Sequence, residues 1–178
     1  MPRLEQIEPE EATGEAKEAL QAVKDAKGAV PNILKGMANS PAALRAYMGM
    51  SKALDGAELS EAEQHIVFLV TSEVNGCEYC VAAHTMLARR AGLSDEEILG
   101  VRKRQPDRAD HQALVDFTRA VIETRGFVSD AKLESFISAG YSEGQAAEVC
   151  AVIAQATFTN YFNHVNETEL DFPEAPEL

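Results

Sequence analysis

Apolar positions along this chain recur at helical rather than strand spacing, in segments broken by proline, glycine and serine. The pattern predicts about eight helices, over roughly 9–27, 31–38, 41–55, 61–75, 77–91, 95–104, 108–125 and 142–165, with a short extra one near 130–139. Proline occurs at positions 2, 9, 31, 41, 106, 173 and 176, so the long intervals on either side of Pro106 can hold helices without interruption. Ser60 with Glu63, Ser94 with Glu97 and Ser142 with Gln145 have the spacing of capping boxes. Ser40-Pro41 puts proline at a first helical position. Gly28, Gly56, Gly92, Gly126 and Gly140 fall just past periodic segments, where a left-handed residue closes a helix. The one strand-like run, 65–71, is continuously apolar after a strong N-cap and is assigned to a buried helix. Alanine-rich stretches at 15–26 and 145–156 agree with this assignment. The expected fold is all-α, a single domain over 1–170. The acidic, proline-bearing tail 171–178 is expected to be extended and packed late or not at all.

Composition narrows the partners. The 178 residues carry 46% hydrophobic and 25% charged residues, the balance of a globular chain with a substantial core. Asp and Glu number 29 against 16 Lys and Arg, a net charge of -13 that repels nucleic acid and anionic membrane. No apolar run approaches the roughly 18 residues of a membrane span, and residues 1–11 show no apolar signal region. Three cysteines, Cys77, Cys80 and Cys150, fit a reducing compartment better than a disulfide-stapled fold, so a cytoplasmic location is expected.

The chemistry concentrates in Asn75-Gly76-Cys77-Glu78-Tyr79-Cys80-Val81-Ala82-Ala83-His84. On a helix Cys77 and Cys80 lie one turn apart, with Cα atoms about 5–5.5 Å from each other, within disulfide range. His84 follows Cys80 at i+4 on the same face. Asn75-Gly76 predicts a helix break, placing Cys77 at a positive helix N-terminus that lowers a thiol pKa. His84 can take the proton of Cys80 and leave a thiolate–imidazolium pair. The first effect favours Cys77 as nucleophile and the second Cys80; residue physics does not choose between them. A zinc site built from Cys77, Cys80 and His84, with His65 or a carboxylate as fourth ligand, is a rival reading. A c-type haem is disfavoured, since histidine does not directly follow the second cysteine.

Leu59-Ser60-Glu61-Ala62-Glu63 followed by Val74-Asn75-Gly76-Cys77-Glu78-Tyr79-Cys80-Val81-Ala82-Ala83-His84 resembles the core of the AhpD-like alkyl hydroperoxidases, in the carboxymuconolactone decarboxylase superfamily. That core covers roughly 59–100. Val30-Pro31-Asn32, Ser40-Pro41-Ala42 and Asn160-Tyr161-Phe162-Asn163-His164 resemble the branch described as peroxidase-related. The resemblance implies a compact AhpD-like helical domain that assembles as a homo-oligomer, a trimer or hexamer. It implies a thiol peroxidase or disulfide oxidoreductase that needs no cofactor. By that resemblance Cys80 attacks the peroxide, Cys77 resolves the sulfenic acid and His84 relays protons. A dithiol reductant, a dihydrolipoyl protein in the best-known branch, then restores the pair. The chain departs from the pattern at His65, which stands where the family has its relay glutamate, twelve residues before Cys77. Glu73 or Glu63 is the alternative relay. Tyr79 replaces a histidine of the best-known branch. The superfamily's lactone decarboxylases generally lack the cysteine pair, so that chemistry is not expected here. A redox-sensing oligomer without sustained turnover and a zinc protein remain the alternatives.

Other residues receive plainer assignments. Cys150, among Ala147, Val149, Ala151 and Val152, is expected to be buried as a small hydrophobe. His111 is expected at the surface. Asn160, Asn163 and His164 are expected to satisfy buried backbone or subunit contacts, with lining of the cysteine pocket as the second reading. Arg89-Arg90 complements a helix C-terminus. Tyr47, Met48 and Met50 are assigned to packing.

Overall fold

The computed structural model describes residues 1–178, apart from the side chain of Lys27. Its elements are α1 (Gly14–Lys27), α2 (Asn32–Met37), α3 (Pro41–Leu54), α4 (Glu61–Asn75), α5 (Glu78–Arg90), α6 (Asp95–Arg102), α7 (Ala109–Glu123), α8 (Asp130–Ser138) and α9 (Glu143–Asn166). The all-α expectation holds, and no strand occurs among the described residues. No helix there is long and apolar enough to cross a membrane.

The capping chemistry forms as the spacing predicts. Ser60 with Glu63, Ser94 with Glu97 and Ser142 with Gln145 close complete capping boxes on α4, α6 and α9. Ser40 caps α3 ahead of Pro41. The first helix starts later than 9, because residues 8–12 form a turn, with Glu11 N and Ala12 N both donating to Glu8 O at 3.0 Å. Gly56 is a second correction. It does not take a left-handed conformation, since α3 ends on a right-handed Asp55.

The continuously apolar run is the interior of α4. Residues from His65 to Ser72 are all buried, because α4 is packed on several sides by α5, α6, α7 and α9. One core surrounds it, with Ile66, Leu69, Leu114, Val115, Val149 and Val152 essentially sealed from solvent. Phe117, Phe136 and Tyr141 stack in sequence there, with centroids 4.4 Å apart at each step. A second core gathers Leu20, Leu34, Met37 and Leu44 of α1–α3 around Cys77, Tyr79 and Cys80. The cysteine turn therefore sits between α4 and the N-terminal helices, away from bulk solvent.

Three burial expectations are overturned. Cys150 is exposed; Val149 and Val152 take the core-facing positions of α9 and the 100° step turns Cys150 outward. His111 is buried, because it begins the inward stripe of α7 that continues through Leu114, Val115 and Thr118. The tail is packed as well as extended. Asp171 Oδ2 accepts from Asn32 N at 2.9 Å, Phe172 meets Tyr79 edge-on at 5.4 Å, and Pro176 O accepts from Arg102 Nη1 at 2.6 Å.

Candidate active site

Gly76 makes the site. It closes α4 with a left-handed φ of 68°, and Cys77 N then donates to Ser72 O at 2.9 Å. The chain reverses so tightly that Cys77 becomes the N-cap of α5 and Cys80 lies in its first turn. Both sulfurs stand at the positive end of the helix, and Asn75-Gly76 is the break that the sequence predicts.

Cys77 Sγ and Cys80 Sγ are 2.8 Å apart as free thiols, each buried. Cys77 donates to Cys80. That hydrogen bond is the main reason the Cys80 pKa is lowered and the Cys77 pKa raised, and burial adds to the rise at Cys77. Asn163 Nδ2 donates to Cys80 Sγ at 3.2 Å, and hydrogen bonding from Asn160 and Thr159 favours the same thiolate. Asn160 is fixed in turn, accepting from Asn75 Nδ2 at 2.9 Å and donating to Ser72 Oγ at 3.2 Å. The reading of Asn160 and Asn163 as backbone or subunit contacts gives way here, because α9 carries both amides to the cysteine turn. His164 points to solvent.

His84 differs from its expected pairing. Its ring stacks on Phe68, centroids 4.2 Å apart and planes at 5°, and its Nδ1 lies 3.2 Å from Nδ1 of His65. Burial, and then the neighbouring His65, hold its pKa well below 6.5. A neutral imidazole facing another imidazole is not the imidazolium partner of a thiolate, and the asparagine amides take that role at Cys80. His65 is buried, and its Nε2 lies 3.9 Å from Glu61 Oε1 at the edge of α4. The two histidines thus form a line from the site toward the surface.

The two carboxylate candidates lie elsewhere. Glu73 Oε1 accepts from Arg102 Nε at 2.5 Å and lines a different cavity from His84. Glu63 serves the Ser60 capping box. Arg89 pairs with Asp95.

Cys80 and His84 open into a cavity of about 890 Å³ walled by Tyr47, Met48, Phe68, Leu87 and Phe172. Its wall is mostly apolar, with Lys52, Asp55, Arg90 and Asp171 among the lining residues, and a space of that size takes an organic molecule of moderate size. Tyr47 and Met48 pack against the second core, as expected, and wall the cavity as well. Phe68 is buried on α4, as the apolar run predicts, and it also lines the cavity together with Thr159. The available signal for Thr159 was the run of polar residues Gln155, Thr159, Asn160, Asn163 and Asn166 along one helix, all buried and requiring partners. Among the described residues, no group of three or more His, Cys, Asp or Glu side chains converges so as to hold a metal ion, which leaves the zinc reading without a ligand set.

No curated protein matches the sequence. Residues 41–121 match the model of the carboxymuconolactone decarboxylase family. An uncharacterized peroxidase-related protein from Ralstonia eutropha JMP134, described as an alkylhydroperoxidase AhpD core, shares the fold with a TM-score of 0.88 at 23% identity, over 96% of this chain and 92% of that one. A peroxidase-related protein from Silicibacter sp. TM1040 superposes with a TM-score of 0.82 at 22% identity, over 94% and 89% of the two chains. The debrominase Bmp8, in complex with 2,3,4-tribromopyrrole, has a TM-score of 0.80 at 18% identity, over 95% and 91%. The family match spans the cysteine motif, and the fold is shared along nearly the whole length of these chains.

Proposed function

We propose that the protein is a thiol-dependent alkyl hydroperoxide reductase and disulfide oxidoreductase. The observation that carries this reading is the Cys77–Cys80 pair, 2.8 Å apart, with the Cys80 sulfur hydrogen-bonded by Asn163 at the wall of an apolar cavity. The match of residues 41–121 to the carboxymuconolactone decarboxylase family model and the likeness of the fold to peroxidase-related proteins support it.

In this mechanism the Cys80 thiolate attacks the peroxide O–O bond. Sulfur loses two electrons and becomes sulfenic acid, and the alcohol leaves after taking one proton. His84 and His65 supply and replace that proton as neutral, hydrogen-bonded imidazoles. Cys77 then attacks the Cys80 sulfenic acid. The S–S bond forms, and the hydroxyl leaves as water with the Cys77 proton. A dithiol reductant, such as a dihydrolipoyl group on a protein, returns two electrons and two protons. The reading includes a cytoplasmic homo-oligomer, trimer or hexamer, for which exposed Tyr161 and Val165, one turn apart on α9, offer a surface.

A second reading is reductive dehalogenation of a small aromatic, in which the same thiol pair supplies two electrons and two protons: one proton forms the new ring C–H bond, halide leaves with the other, and Cys77 and Cys80 end as a disulfide. The apolar cavity and the debrominase neighbour favour it.

The deciding experiment is intact-mass analysis before and after one equivalent of cumene hydroperoxide, with thiol alkylation and metal analysis on the same sample. Loss of two free thiols, mapped to Cys77 and Cys80, and continued turnover with a dithiol are expected. Oxidation without turnover would make the protein a redox sensor. Unchanged thiols with one zinc per chain would establish the metal protein instead. Dithiol-dependent release of bromide from a brominated pyrrole, with no peroxide consumption, would select the second reading.

A further inference from the structure

The two sulfurs do not share one approach. Cys80 lines the large cavity with His84. Cys77 lines a second cavity of about 410 Å³, bounded by Val81 and Ala82 on α5 and by the Glu73–Arg102 pair. The C-terminal segment contributes Leu170, Glu174, Ala175 and Pro176 to its wall. That segment belongs to no helix, and Arg102 Nη1 tethers it at Pro176 O.

We infer that this second cavity receives the thiol reductant, which attacks Cys77 from the flank opposite the peroxide site, with residues 174–177 as its displaceable wall. The inference rests on the redox reading above and adds the route, the attacked atom and the charge class of the reductant. Thiol–disulfide exchange is fastest when the departing sulfur is the better leaving group. Asn163 Nδ2 lies 3.2 Å from Cys80 Sγ and 4.0 Å from Cys77 Sγ, so it stabilises Cys80 more as the departing sulfur, and Cys77 is the sulfur to attack. The reductant thiolate bonds to Cys77 Sγ, the Cys77–Cys80 bond breaks, and its electron pair stays on Cys80. The reductant's second thiolate then attacks its own bridged sulfur. The reductant leaves as a disulfide, and Cys77 takes up a proton. Glu78, Glu174 and Glu177 surround this cavity, while the Arg102 guanidinium is engaged by Glu73. A neutral or cationic dithiol is therefore accepted, and an anionic thiol such as glutathione is repelled.

The test starts from protein oxidised with diamide, so it does not depend on peroxide chemistry. Brief reaction with cysteamine, then rapid alkylation and peptide mapping, is expected to find the cysteamine adduct on Cys77 and the alkyl group on Cys80. An adduct mainly on Cys80 overturns the inference. Reduction by dithiothreitol is expected to be about tenfold faster in a chain ending at Pro173 and about tenfold slower in Ala175→Trp. Oxidation of both reduced variants by cumene hydroperoxide should stay within about twofold of the parent, since the large cavity is untouched. Equal reduction rates in all three proteins, or failure of diamide to join Cys77 to Cys80, would also overturn it. Normal diamide and dithiothreitol chemistry with no peroxide oxidation would sink the peroxidase reading and leave the reductant route standing.

Discussion

Asn163 near the end of α9 donates its amide Nδ2 to Cys80 Sγ at 3.2 Å, across 83 residues of chain. Its Oδ1 is buried without a hydrogen-bond partner, a cost that an apolar residue would avoid. What the side chain contributes is the donor on sulfur. A hydrogen bond to a charged group is worth about 1.5–3 kcal/mol net, and Cys80 Sγ at 3.2 Å takes more of it than Cys77 Sγ at 4.0 Å. Asn163→Ala should raise the Cys80 pKa and slow its reaction with peroxide at neutral pH by about tenfold or more. Ultraviolet thiolate titration and stopped-flow oxidation measure both effects. An unchanged titration would remove Asn163 from the site.

The cysteines should separate cleanly by substitution. Cys80→Ser is expected to abolish peroxide turnover. Cys77→Ser should allow one oxidation and then stall with sulfenic acid on Cys80, read by dimedone labelling and mass mapping. Label on any other residue, or sustained turnover in either variant, would contradict the assigned roles.

Acid stability follows from His84 and His111, both desolvated in the folded chain. His84 is held well below 6.5 by burial and then by His65, and His111 is lowered by burial and then by Arg108. Below about pH 6.5 the unfolded chain takes up protons that the folded chain refuses, so the unfolded state binds more. Stability is therefore greatest above that value. It falls as pH drops, until the folded pKa values are reached. The slope should approach about 1.4 kcal/mol per pH unit for each histidine. Guanidinium unfolding between about pH 7 and 5 should show this loss, and His111→Gln should flatten it.

The Glu73–Arg102 pair is structural. Arg102 is 7% exposed and Glu73 20% exposed in their side chains. Arg102→Ala leaves a carboxylate half-stranded and frees Pro176 O. The expected cost is about 2–4 kcal/mol, below the full buried-pair value because Glu73 keeps some solvent. Glu73→Gln should lower the denaturation midpoint yet leave the first oxidation by peroxide within about twofold. A large loss of that oxidation rate would return Glu73 to the proton relay.

Much of the architecture was legible in local chemistry. Three serine capping boxes, Pro41 at a helix start and the Asn75-Gly76 break each act within a few residues, so spacing along the chain located α3, α4, α5, α6 and α9. The Cys77, Cys80 and His84 stripe was visible for the same reason. A helix converts i, i+3 and i+7 spacing into one face.

What the tertiary structure decided are the matters that need a second segment. Cys150 and His111 could not be placed, because small or isolated residues do not say which helix face meets the core. His84 met His65 and Phe68 only once α4 lay against α5. Asn163 reached Cys80 only because α9 crosses behind the cysteine turn, and the tail became a wall only because Asn32 and Arg102 hold it. The sequence by itself determined where helices begin and that two thiols and an imidazole share a face, since short-range backbone geometry sets both. Packing of distant helices determined which sulfur Asn163 meets at hydrogen-bond distance and which cavity each cysteine lines, since those depend on contacts between residues many positions apart.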